Sequence, residues 1–104
     1  MTQITHTLWQ NLTPPGEAEL RYTMRSTGMD PKRWTHLAGE GHSAHSHEYH
    51  SVIYCVEGSL RFVLTDEEDR QIELKPGDRL DIPAGIRHLA VAGKDGGAYL
   101  EGRR

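Results

Sequence analysis

Three imidazoles fall within residues 45 to 50, in the run "AHSHEYHSVIYCVEG" (residues 44–58). Neutral imidazole is the commonest side-chain ligand of divalent transition metals, through either ring nitrogen. His45 and His47 are one residue apart. On a strand they therefore share a face, about 7 Å apart along the backbone, and can converge on one ion. The pair alone is weak evidence for a metal, since a polar, His-rich loop before a strand carries it too. A third imidazole from a distant segment would separate the two readings. The candidate is His88 in "GDRLDIPAGIRHLAVAG" (residues 77–93), which opens a strand after a turn built on Pro83 and Gly85. His50 would point to the opposite face of a regular strand, and only a bulge would turn it inward. His42 reads as loop surface in a Gly-rich stretch, and His36 and His6 as surface or packing.

The elements that would carry these residues are short and β-like. The runs read as strands are 20–27, 33–38, 50–57, 59–65, 70–75, 78–83, 87–93 and 98–103, rich in β-branched and aromatic residues. Between them lie "GMDP", "TDEED", "KPGD", "PAGI" and "GKDGG", which suit tight reversals. No stretch of a dozen residues holds a helical period. An all-β chain of this kind implies a sandwich or a closed antiparallel barrel. Residues 1–19, with "NLTPPGE", read as an extended arm or edge strand, and residues 20–104 as one barrel domain. In "SLRFVLT", Leu60, Phe62 and Leu64 alternate with Arg61, Val63 and Thr65. In "SVIYCVE" both faces are apolar, so a second layer is needed. The N-terminal arm or a partner subunit would supply it, and a homodimer is expected.

Composition narrows the function classes. A chain of 104 residues holds one domain, and 26% charged with 36% hydrophobic residues fits a globular protein. The net charge is −3 and Lys and Arg are scattered, so the basic stripe of a nucleic-acid-binding protein is missing. No apolar run is long enough to cross a membrane as a helix. "MTQITHTLWQ" has neither a basic region nor an apolar core of a signal peptide, so a cytoplasmic setting is expected. Cys55 is the single cysteine, which excludes an internal disulfide; in "VIYCV" it reads as a small buried residue. "DEEDR" (66–70) reads as a solvated hairpin tip.

The two histidine segments together resemble the paired motifs of the cupin superfamily, G-(x)5-H-x-H-(x)3,4-E-(x)6-G and G-(x)5-P-x-G-(x)2-H-(x)3-N. Gly39, His45, His47 and Gly58 match the first, and Gly77, Pro83, Gly85 and His88 the second. Two positions depart: the motif glutamate falls on Ser51 and the final asparagine on Ala92. The resemblance implies a small antiparallel β-barrel or jelly roll. It also implies one divalent transition ion (Fe, Ni, Zn, Mn or Cu) held by His45, His47 and His88. Ser51 would then lie behind the ligands or on a bound water, and His50 would be an additional ligand only if bulged inward. Three neutral imidazoles would leave the ion its full +2 charge, which favours anionic, oxygen-rich molecules. Within the family, three-histidine centres recur in dioxygenases of diketone- or thiol-type substrates. The resemblance thus permits a dioxygenase, isomerase or lyase acting on a small oxygenated molecule. A non-catalytic small-molecule binding or sensing module is the alternative, although no helix-turn-helix segment accompanies it. Tyr49, in phase with the histidines, and Arg87, beside His88, are candidate substrate contacts.

Overall fold

The computed structural model describes residues 3–104; residues 1 and 2 of the expected arm lie outside the described residues. The elements are β1 (Thr5–Thr7), α1 (Glu17–Ser26), β2 (Lys32–His36), β3 (Gly41–His45), β4 (Ser51–Leu64), β5 (Arg70–Leu74), β6 (Arg79–Ile82) and β7 (His88–Arg103). All strand pairs are antiparallel, in the order β1-β6-β4-β7-β2, with β5 added to β4 and β3 to β7. The long β4 and β7 form the spine. The first half of β4 pairs β6 and its second half β5. The first half of β7 pairs β3 and its second half β2. Bent over itself in this way, the sheet is a jelly roll filled by Ile53, Cys55, Leu60, Phe62, Leu64 and Leu80.

Two expected reversals are instead bends inside single strands. Residues 50–57 and 59–65 form one strand, as do 87–93 and 98–103. The β4–β7 register shifts between Cys55 and Glu57 and again between Gly58 and Leu60. Gly58, at φ 64°, faces Gly97, and a Cβ on Gly58 would overlap the Gly96 carbonyl. Glycine on both strands lets them bend together without separating.

The segment expected as a strand over 20–27 is helical, the one clear departure from an all-β reading. Leu20 and Met24 are spaced four apart and buried, on one side of a helix. Glu17 and Glu19 lie in the first turn and Arg25 in the last, as the helix dipole favours. Glu17 also pairs with Arg21 at 2.8 Å, one turn on. Gly28, at φ 85°, closes the helix: Met29 N–H donates to the Met24 carbonyl and Gly28 N–H to that of Arg25.

This helix is the second layer that "VIYCV" requires. Leu20, Met24 and Met29 pack on Val52, Tyr54 and Leu100, with Val56 at the edge. Neither an extended arm nor a partner subunit is needed to cover that face. Gly102 permits the approach, since a Cβ there would stand 2.8 Å from the Met24 methyl carbon. The strand at 5–7 pairs the outer edge of β6, and Trp9 N–H donates to Asp78 at 2.9 Å. No helix among the described residues is long and apolar enough to cross a membrane.

Candidate metal centre

His88 begins β7 in register with His45 at the end of β3, and on its other side with Leu64 of β4. Between His42 and His45 the β3 register shifts: His42 pairs Ala90 while His45 pairs His88. Three steps on β3 therefore match two on β7, which is a bulge. It puts His42 and His45, which alternation would send to opposite faces, on the same one, with ring centroids 4.4 Å apart. Gly41 lets β3 lie this close, because a Cβ there would overlap the Ala90 carbonyl.

The ligating atoms of His45, His47 and His88 lie within 4.8 Å of one another. His45 Nε2 and His47 Nε2 are 3.1 Å apart. Neighbouring ligands of an ion bound at about 2.1 Å would be separated by about 3 Å. Orientation is set by the backbone. His88 Nδ1 lies 3.0 Å from the Ile86 carbonyl and His45 Nδ1 3.1 Å from that of Ser43. A carbonyl only accepts, so both Nδ1 atoms carry the proton and Nε2 is left with its lone pair.

Burial does the rest. His88 is 2% exposed, beside Phe62 at 6.1 Å between centroids. Desolvation, partly opposed by the Ile86 bond, pushes its pKa down to about 4, and the neighbouring His45, His47 and His42 act in the same direction. Burial also lowers His47 and His42, the former against the opposing pull of Glu101. These rings are thus neutral at pH 7, the form that ligates. The three imidazoles are positioned to hold a metal ion, and the tautomers of His45 and His88 fit one.

The cluster opens on a cavity of about 670 Å³. Its buried wall includes Ile53, Phe62 and Tyr99, and its exposed margin Lys32, Trp34 and Arg103. Tyr49 lines it as well, stacked on His47 at 4.7 Å, with the Arg103 guanidinium 4.1 Å from the centre of the Tyr49 ring. Arg87 is exposed and takes no part in the wall. His50 is not turned toward the cluster: its Nε2 is 3.1 Å from Asp81, a carboxylate also gripped by Arg79 at 2.8 and 2.9 Å. Ser51 is fully buried and its Oγ has no hydrogen-bond partner among the described residues.

Several wall residues were not read from the sequence. The sequence puts His42 on a loop surface, because the bulge that turns it inward leaves no mark in alternation. His36 lines the cavity between His42 and Tyr99, at 6.1 and 6.0 Å, and its Nε2 is buried without a hydrogen-bond partner among the described residues. Glu101 and Arg103 follow from the pairing of β7 with β4, which places Glu101 opposite Ile53 and Arg103 opposite Ser51. Glu101 Oε2 stands 3.8 Å from His47 Nε2.

The cupin domain family pattern matches residues 32–100. Acireductone dioxygenase 1 of Vitis vinifera is 43% identical over 62 residues, covering 58% of this chain and 32% of that protein. Among solved structures, the ribosomal oxygenase YcfD of Escherichia coli, in complex with cobalt and 2-oxoglutarate, superposes with a TM-score of 0.68. It is 26% identical, over 84% of this chain and 27% of the other. The polyketide cyclase RemF of Streptomyces resistomycificus gives 0.64 at 27% identity, over 72% and 54%. The chain spans about a quarter to a third of the length of the curated relatives it matches.

Proposed function

The chain belongs to the cupin domain family, and we propose that it is a metal-dependent dioxygenase-type enzyme acting on a small, anionic, oxygen-rich molecule. The observation that carries this reading is the convergence of His45, His47 and His88 within 4.8 Å, at a cavity large enough for one small ligand. The similarity to an acireductone dioxygenase and to a cobalt-bound oxygenase supports it. A divalent ion in this place supplies Lewis acidity and, in the case of iron, access to dioxygen.

The chain's own groups bind and orient. Lys32 and Arg103 at the margin attract an anion, and Arg103 is held in place over Tyr49. Ile53 and Phe62 give a dry wall that strengthens every charge interaction near the imidazoles. Burial pushes the Tyr99 hydroxyl well above its usual range, so it stays protonated and able to donate a hydrogen bond. The unpartnered His36 Nε2 offers a second polar contact on the same wall.

Metal analysis of tag-free protein, followed by oxygen uptake with an acireductone over iron- and nickel-loaded samples, tests the proposal. Stoichiometric metal with oxygen consumption is expected. A loaded protein that binds the compound in calorimetry without turnover would instead mark a binding or sensing module. A homodimer no longer has the outer face of β4 as its ground. Trp34 and Leu37, exposed on and beside edge strand β2, are the surface on which we would seek one. Sedimentation of Trp34→Glu against the parent chain decides that point.

A further inference from the structure

We infer that Glu101 is the fourth protein ligand of the centre, delivered from β7 in place of the glutamate that position 51 lacks. The inference rests on the three-histidine reading and extends it to a residue beyond the matched family pattern, which ends at residue 100.

Cross-strand register brings the carboxylate to the site. Ser51 and Ile53 are two apart on β4 and share a face. Glu101 is the partner of Ile53 on β7, so its side chain leaves the sheet on that same face. Ile53 belongs to the barrel core and to the cavity wall, and Glu101 lines the same wall. A carboxylate lost from one strand is thus matched by one on the adjacent strand. Ser51 cannot serve in its stead: a neutral hydroxyl is a poor ligand, and its buried Oγ lies outside the cavity wall.

Distance and charge point the same way. Glu101 Oε2 and His47 Nε2 stand 3.8 Å apart, inside the 4.8 Å over which the ligating atoms of His45, His47 and His88 are spread. The Glu101 side chain is 18% exposed, and among the described residues no Lys or Arg nitrogen approaches it within 4.0 Å. It also accepts no hydrogen bond from them. A half-buried carboxylate facing imidazoles, without a cation of its own, is costly unless a cation completes the group. A divalent ion among His45, His47, His88 and Glu101 would do so, leaving the group a net charge of +1.

Cobalt(II) titration, by chelator competition and visible absorption, compares the parent chain with Glu101→Gln, Glu101→Asp, His88→Ala and the pair Glu101→Gln with Ser51→Glu. Melting of the metal-free proteins reports whether each is folded. Glu101→Gln, nearly isosteric, should weaken cobalt at least about tenfold and alter the absorption bands, a loss at or above that of a supporting residue. Glu101→Asp should fall between, and adding Ser51→Glu should recover affinity by returning the carboxylate from β4. Cobalt affinity and bands unchanged in Glu101→Gln, with binding lost in His88→Ala, would overturn the role of Glu101 and leave the three-histidine centre standing. Equal cobalt binding by His88→Ala and the parent chain would overturn both.

Discussion

The burial of His88 makes a prediction about acid stability that needs no metal. In the folded protein its pKa lies at about 4, and in the unfolded chain it returns to about 6.5. As pH falls, the unfolded state takes up the proton first. Stability is therefore complete above about pH 6.5 and is lost progressively down to about pH 4. Between pH 7.5 and pH 5 the difference amounts to about 1.4 protonation units, or about 2 kcal/mol at 1.36 kcal/mol per unit. His88 is 2% exposed, so solvent screening removes little of this. Urea unfolding in the presence of a chelator at the two pH values, for the parent chain and for His88→Gln, measures it. Glutamine does not titrate, so the difference between the two proteins isolates His88 together with its coupling to His45, His47 and His42. The parent chain should lose about 2 kcal/mol more than His88→Gln over this interval. Equal losses would mean that His88 is not held neutral by burial, and the argument for a preformed ligand would fail.

Met24 is fully buried under the sheet, and Met24→Ala should cost roughly 2–5 kcal/mol in urea unfolding, with loss of helical circular dichroism from α1. Arg103→Ala should weaken binding of a small carboxylate about tenfold in calorimetry, whereas Arg87→Ala should leave it unchanged, because only Arg103 lines the cavity. His50→Ala should leave cobalt affinity within about twofold, since His50 faces Asp81 and lies away from the cluster. Burial pushes the Cys55 thiol up to about 12, so it should resist disulfide reagents at pH 8 in the native protein and react at once in urea.

Much of the centre could be read before any coordinates. The spacing of Gly39, His45, His47 and Gly58, and of Gly77, Pro83, Gly85 and His88, marks both the fold and the three imidazoles. That is so because a short motif encodes its own turns: glycine at positive φ, as at Gly39, Gly58, Gly77 and Gly85, is a local requirement of the backbone. Several strands followed from the alternation of residues such as Leu60, Phe62 and Leu64, whereas β3, over Gly41–His45, reads as loop in the sequence. Local rules failed where two conformations suit the same residues. Leu20 and Met24 give a helix too few apolar positions to outweigh the β preference of Tyr22, Thr23 and Thr27. The apolar surface of Val52 and Tyr54 decides for the helix, and it is contributed by a strand thirty residues later.

What tertiary structure alone decided is which side chains meet. The bulge opposite Leu89 turns His42 inward, and a bulge depends on the strand that the segment pairs with. Glu101 and Arg103 reach the cavity because β7 lies beside β4 in a register set over the whole barrel. His45, His47 and His88 could be named as a set from the sequence; the carboxylate beside them could not. A motif records residues along one strand, whereas a neighbour across the sheet is defined by pairing between segments far apart in the chain.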